Sequence, residues 1–263
     1  MSIKFTILGL LIYAAMLLWL LAVLTCLRWR KQSSQLFAGG FLLLISALVL
    51  RWFQAGHPPL QSLFEVMLAL GAFIYPLWMF SQKYLHARFQ AAAIVLGIAV
   101  LVPVGFVFHA APANLPPALQ SPLFVPHVAA YMLAYAILIL AGAQAVMQLV
   151  SSRFGRQLDA RACEAASYRM VRLAFPILCL ALVLGAVWGR LAWADYWHWD
   201  PKELWSLATF LVYAAYLHFR RHLGKKYMRI NAIIVIVGCA CVIVTLIWVN
   251  LSRLFEGRHN YAS

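Results

Sequence analysis

Residues 3–31 read IKFTILGLLIYAAMLLWLLAVLTCLRWRK, an apolar run that ends at Leu27 and is followed by Arg28, Arg30 and Lys31. A helix crosses the hydrocarbon core of a bilayer with about 20 predominantly apolar residues, and this run is long enough. It is too long for the apolar region of a secretory leader, it lacks a small-x-small cleavage site, and its basic residues follow rather than precede it. The same pattern recurs along the chain. Apolar segments at 3–27, 36–53, 60–80, 91–109, 124–150, 173–189, 203–219 and 231–251 reach or approach the length of a span, the sixth and seventh being short but nearly free of charge. The longest gap between them, 151–172, has no room for a soluble domain.

Composition agrees. The 263 residues are 65% hydrophobic and 11% charged, with a mean hydropathy of +0.85. A soluble domain carries roughly 45–50% apolar and about 25% charged residues, so a water-exposed globule is excluded, and disorder is excluded by the same surplus of apolar side chains. The expected fold is all-α: a polytopic membrane helical bundle of about eight transmembrane helices forming one domain over 1–263.

The 21 Lys and Arg against 7 Asp and Glu give a net charge of +14, which in a soluble protein would suggest nucleic acid. Their positions say otherwise. Arg28, Arg30, Lys31, Lys83, Arg88, Arg153, Arg156, Arg161, Arg169, Arg172, Arg220, Arg221, Lys225, Lys226 and Arg229 fall in the gaps after spans 1, 3, 5 and 7. By the positive-inside rule these gaps are cytoplasmic, and both termini lie outside. The charge is mainly orientation, and no nucleic-acid partner is expected. The same topology puts His57, His109, His127, His198 and His259 at the outer face, with His86, His218 and His222 at the inner. Cys26, Cys163, Cys179, Cys239 and Cys241 form no C-x-x-C, so they are read as packing residues.

Five of the ten tryptophans lie in one outer loop between spans 6 and 7, WGRLAWADYWHWDPKELW over 188–205. An aromatic belt would spread over all spans and both interfaces; this is a single cluster. Asp200-Pro-Lys-Glu203 reads as a helix start: Asp at the N-cap, Pro at N1, Glu at N3 closing a capping box. A tight group of indoles at a membrane surface makes a flat apolar platform with a few N–H donors. It suits a planar amphipathic ligand. A porphyrin has that shape, its carboxylates within reach of Arg190, Lys202 or Arg258 on the same face; a quinone or a lipid headgroup fits the loop as well.

GAVWGRLAWADYWHWDPKELW over 185–205, followed by LVYAAYLH ending at His218, resembles the tryptophan-rich WWD signature of the haem-handling cytochrome c assembly family. It is most similar to the CcsA (ResC) type of the system II cytochrome c synthetase. GHPPLQSLFE over 56–65, LFVPHVAAYMLAY over 123–135 and VNLSRLFEGRHNY over 249–261 also fit, so the resemblance covers roughly 50–261. Ser62 and Phe64 stand where the family usually shows Asn and Tyr, and Arg258 where it shows Leu.

The resemblance implies several roles. His127 and His259 would be axial ligands of a haem b held at the outer face, and His218 a ligand for haem entering from the inner side, its second ligand coming from a CcsB/ResB-type partner subunit. Trp188, Trp193, Trp197, Trp199, Trp205 and Asp200 would line the cofactor. Further implied partners are apocytochrome c and a thiol-reducing thioredoxin-like protein. His198, given no ligand role, lies within the platform, where it could contact a propionate. Glu65, a lone carboxylate at the start of span 3, is read equally as functional or as bound to neighbouring helix ends.

The implied function is cytochrome c biogenesis: holding haem for attachment to the C-x-x-C-H motif of an apocytochrome, as a subunit of a holocytochrome c synthetase (haem lyase). The chain offers no activated nucleophile, metal–water site or nucleotide motif, so no catalytic residue is assigned. Alternatives are a haem exporter or chaperone without ligation activity, a structural membrane protein, and a quinone-binding subunit. The expected location is the bacterial plasma membrane, with the active face extracytoplasmic, ahead of the thylakoid.

Overall fold

The structure, a computed structural model, describes residues 5–109 and 114–251, the side chain of Lys225 excepted. These residues form eight long helices: α1 (Ile7–Thr25), α2 (Arg30–Ala55), α3 (Leu63–Leu85), α4 (Gln90–Phe106), α5 (Phe124–Arg153), α6 (Gln157–Trp193), α7 (Pro201–Leu223) and α8 (Met228–Leu251). Among the described residues there is no strand. Each expected apolar segment falls on one helix. Six (α1, α2, α3, α5, α6 and α8) are long and apolar enough to cross a membrane, and α4 is apolar but shorter, at 17 residues. The chain is a helical membrane protein.

Several helices run past their apolar segments, α6 by the most, which corrects the loop lengths expected from hydropathy. The basic gap 151–172 is a short turn between Arg153 and Gln157, and Arg161, Arg169 and Arg172 lie on α6 itself. Hydropathy marks where lipid ends. A helix continues beyond that point because basic and polar side chains satisfy themselves in water without breaking the backbone ladder.

By contacts the chain divides into two compact units, residues 1–79 with 89–115, and 80–88 with 116–263. In the first, Trp19 of α1 is completely buried. Its indole Nε1 donates to the Phe37 carbonyl at 3.0 Å, and side chains at Gly40 of α2 and Gly97 of α4 would collide with its ring. Small residues here let two helices close around one large side chain. Where α2 meets α3, Arg51 pairs with Glu65 at 2.8 Å, both about 1% exposed. The Glu65 carboxylate also accepts from the backbone N–H of Gln61 and Ser62 at 2.9 and 3.2 Å, while the Ser62 hydroxyl accepts from Glu65 N–H. Of the two roles open to Glu65, the structure gives it helix capping and charge pairing.

In the second unit α5 packs against α6, burying Ala134, Ala141 and Ala145 of α5 and Ala166, Ala174 and Ala181 of α6, with the Ser167 hydroxyl donating to the Ala141 carbonyl at 3.2 Å. α7 meets α8 where buried Tyr213 lies over Gly238 and its hydroxyl donates to the Val235 carbonyl at 3.3 Å. At the basic end Glu164 of α6, Arg220 of α7 and Asn231 of α8 form one buried cluster, with Arg220 donating to Glu164. α8 passes through a π turn at Val244–Trp248.

Candidate functional site

The tryptophan end of the second unit is assembled from the first turns of α5 and α7, the last turns of α6, and the loop joining α6 to α7. His127 sits in the first turn of α5. Its Nδ1 lies 3.0 Å from the carbonyl oxygen of Ala181 on α6. A carbonyl only accepts, so Nδ1 carries the proton and the neutral ring has its lone pair on Nε2. This is the arrangement found behind metal-bound histidines, whose second ring nitrogen is tied to a carbonyl or carboxylate.

Aromatic and small residues fix the ring further. The imidazole stacks on Trp188 with centroids 5.7 Å apart and planes 16° from parallel, and meets Tyr131 edge-on at 5.1 Å. Gly185, one helical turn before Trp188, supplies the space, because a Cβ there would strike the imidazole, reaching 2.9 Å from Nδ1. Trp188 is 2% exposed and donates through Nε1 to the Ala118 carbonyl at 3.0 Å. From Trp188 the aromatic series continues edge-to-face to Trp193 at 4.7 Å, and from Trp193 to His198 at 6.1 Å.

The loop is built by backbone turns and carboxylates. α6 stops because Ala194 adopts a left-handed conformation with φ 64°, closing the helix through its N–H to the Arg190 carbonyl. Trp199 is left-handed as well, at φ 59°, a conformation that costs a non-glycine residue about 1–3 kcal/mol. Asp200 caps α7 as expected from sequence, its carboxylate accepting from Lys202 and Glu203 N–H at 2.8 and 3.1 Å. Glu203 reaches back to the backbone N–H of His198 at 2.7 Å and of Asp200 at 3.3 Å. The capping box therefore shapes the segment that carries Trp197, His198 and Trp199.

Two atoms of this segment, Trp197 Nε1 and His198 Nδ1, are buried and have no hydrogen-bond partner among the described residues. Burying such groups unpaired is costly, so each calls for an explanation. Trp199 stands 65% exposed, edge-on to Trp197 at 6.0 Å. Tyr196 and Trp205 are also exposed, and the Arg190 guanidinium lies over the Tyr196 ring.

The predicted residues thus divide. His127, Trp188 and Trp193 form one cluster, Trp197 and Trp199 a second pair in the adjoining loop, and Asp200 holds the loop in shape. His218 lies elsewhere, on the exposed face of α7, its Nδ1 2.9 Å from the Ala214 carbonyl. It is 15 residues beyond Glu203, about 22 Å along the helix. His259 and Arg258 lie outside the described residues. Gly185 and Tyr131 stand within the family-like stretches but carry no role in the sequence reading, although their spacings (three residues before Trp188, four after His127) place each on the helix face of its partner.

Residues 5–257 match the family model described as cytochrome C assembly protein. The chain belongs to the cytochrome c assembly protein family. Among curated proteins it is 34% identical to a cytochrome c biogenesis protein CcsA from Parasynechococcus marenigrum (strain WH8102), over 84% of this chain and 83% of that one. It is 34% identical to CcsA from Chlamydomonas reinhardtii, over 84% of this chain but 65% of the longer relative. Similarity to CcsA from Synechococcus sp. (strain CC9311), at 31%, runs over 97% of both. These relatives support a role for this family member in cytochrome c biogenesis.

Proposed function

We propose that this chain binds haem at the tryptophan end of α5–α7, presents it at the outer face of the membrane, and supports its covalent attachment to the C-x-x-C-H motif of apocytochrome c within a synthetase complex. One observation carries the reading: His127 is held in a single tautomer by the Ala181 carbonyl and clamped against Trp188, so that Nε2 carries the lone pair an iron ligand needs. A porphyrin fits the remaining residues. It offers apolar faces for Trp188 and Trp193 and polar edges for the buried, unpartnered Trp197 Nε1 and His198 Nδ1. The positive-inside rule supports the orientation, with the basic gaps in the cytoplasm and the termini and tryptophan loop outside.

In this reading His259 would supply a second iron ligand, and Trp197, Trp199 and Trp205 would hold the porphyrin. His218, exposed on α7, serves a separate haem pool completed by a CcsB/ResB-type partner subunit. Haem is the substrate. Each cysteine thiol of the apocytochrome adds across a vinyl group, sulfur to one carbon and hydrogen to the other, so the contribution of this chain is placement. A thioredoxin-like protein keeps those thiols reduced. The whole chain works as one haem-handling domain in a bacterial plasma membrane or a thylakoid.

The test is reconstitution with the partner subunit and an apocytochrome. Wild type forms holocytochrome; His127→Ala and His259→Ala lose the same haem and the activity, and His218→Ala depletes a different pool. Full haem with unaltered spectra in all three variants overturns the ligand assignment. Haem transfer without holocytochrome formation indicates an exporter instead.

A further inference from the structure

At the basic end of the second unit, far from the tryptophans, an open surface pocket of about 280 Å³ is lined by Leu85, Arg169, Arg172 and Leu173. Two features distinguish it from a solvated basic surface. First, its cations are not neutralised by acids. Neighbouring Arg88 pairs with Asp159 at 2.9 Å, as does Arg156 at 2.7 Å, whereas Arg169 and Arg172 meet no carboxylate among the described residues. Second, both guanidinium groups are positioned. Arg169 Nε donates to the Leu85 carbonyl at 3.0 Å, satisfying the last turn of α3, and Arg172 lies 5.6 Å over the Tyr168 ring. The turn after Leu85 is itself clamped, since the Gln144 side chain accepts from Arg88 N–H at 3.0 Å and donates to Arg88 C=O at 2.6 Å.

Depth identifies the ligand. Along α6, Arg172 lies 21 residues before Trp193, about 32 Å at 1.5 Å per residue, close to the roughly 30 Å thickness of a hydrocarbon core. Arg172 also immediately precedes the apolar segment 173–189, which puts this site at the level expected for lipid headgroups. Basic pockets between membrane helices at this level take anionic lipid headgroups, and guanidinium groups match phosphate oxygens in geometry and charge.

We propose that this pocket binds the phosphate of an anionic phospholipid from the leaflet at the basic end of the helices, with Arg169 and Arg172 as its ligands.

Native mass spectrometry of the full chain, given equimolar phosphatidylglycerol and phosphatidylcholine, tests this. Wild type is expected to retain phosphatidylglycerol over phosphatidylcholine at least tenfold. R169Q/R172Q abolishes that preference. R172Q alone, which leaves the Arg169–Leu85 bond and hence the fold intact, reduces it severalfold. R153Q/R221Q, an equal loss of charge elsewhere on the basic side, leaves it unchanged. Equal retention of both lipids by wild type overturns the proposal, as does an equal loss in R153Q/R221Q, which would indicate general surface charge. Displacement of the lipid by inorganic phosphate at the same concentration also overturns it, since the site would then serve the free anion.

Discussion

Substituting Gly185 by Ala tests the packing behind His127. A Cβ at this position overlaps the imidazole, coming 2.9 Å from Nδ1 and 3.4 Å from Nε2, so the ring must leave its place between Gly185 and Trp188. Overpacking costs about 1–3 kcal/mol, and losing the Nδ1–Ala181 bond adds about 0.5–1.5 kcal/mol. Ala in place of Gly returns at most about 1 kcal/mol through helix propensity. The net expectation is a destabilisation of about 0.5–3.5 kcal/mol, with loss of haem if His127 is its ligand. In a His127→Ala background the obstacle is gone, and Gly185→Ala should then stabilise by up to about 1 kcal/mol. The sign of the effect therefore reverses between backgrounds, which a double-mutant cycle isolates. Thermal unfolding in detergent and Soret absorbance per chain provide the two readouts. The same sign in both backgrounds, or a Gly185→Ala protein as stable and as haem-replete as wild type, refutes the packing.

Other substitutions separate stability from binding. Trp199→Gly relieves the left-handed backbone at φ 59° and should raise unfolding stability by about 1 kcal/mol while lowering haem retention; a drop in stability would show that the indole's contacts outweigh the strain. Asp200→Ala removes the cap of α7 and should cost about 1 kcal/mol, with faster proteolysis of the 194–200 loop as the readout. Glu65→Leu and Arg51→Met each strand a buried charge and should cost about 3–5 kcal/mol, whereas the double substitution should recover most of that loss, as thermal unfolding would show.

The helical architecture, with six of the eight expected spans long and apolar enough to cross a membrane, was legible because lipid imposes a one-dimensional rule: runs of apolar residues mark helices regardless of how they pack. The same rule hides helix ends. Arg161, Arg169 and Arg172 read as loop because hydropathy sees solvent, while the backbone continues as helix. Asp200 and Glu203 were legible as a capping box because their reciprocal bonds are local. Glu65 was half legible: Ser62 three residues before it spells the cap, but its partner Arg51 comes from another helix. The site shows the same division. The tryptophan cluster is written in one stretch of sequence, 188–205, although only Trp197 and Trp199 of it lie in the loop between α6 and α7, and family resemblance singles out His127. That His127 docks on Ala181 and beside Gly185 depends on the packing of α5 against α6, which no local pattern encodes.

The most direct test of His127 as a haem ligand is the Soret and α/β-band spectrum of His127→Gly, purified with its partner subunit, before and after addition of imidazole. If Nε2 of His127 binds the iron, the variant loses the outer-face haem signal and free imidazole, entering the vacated space beside Trp188, restores it. A variant that retains the wild-type spectrum and does not respond to imidazole would contradict the assignment.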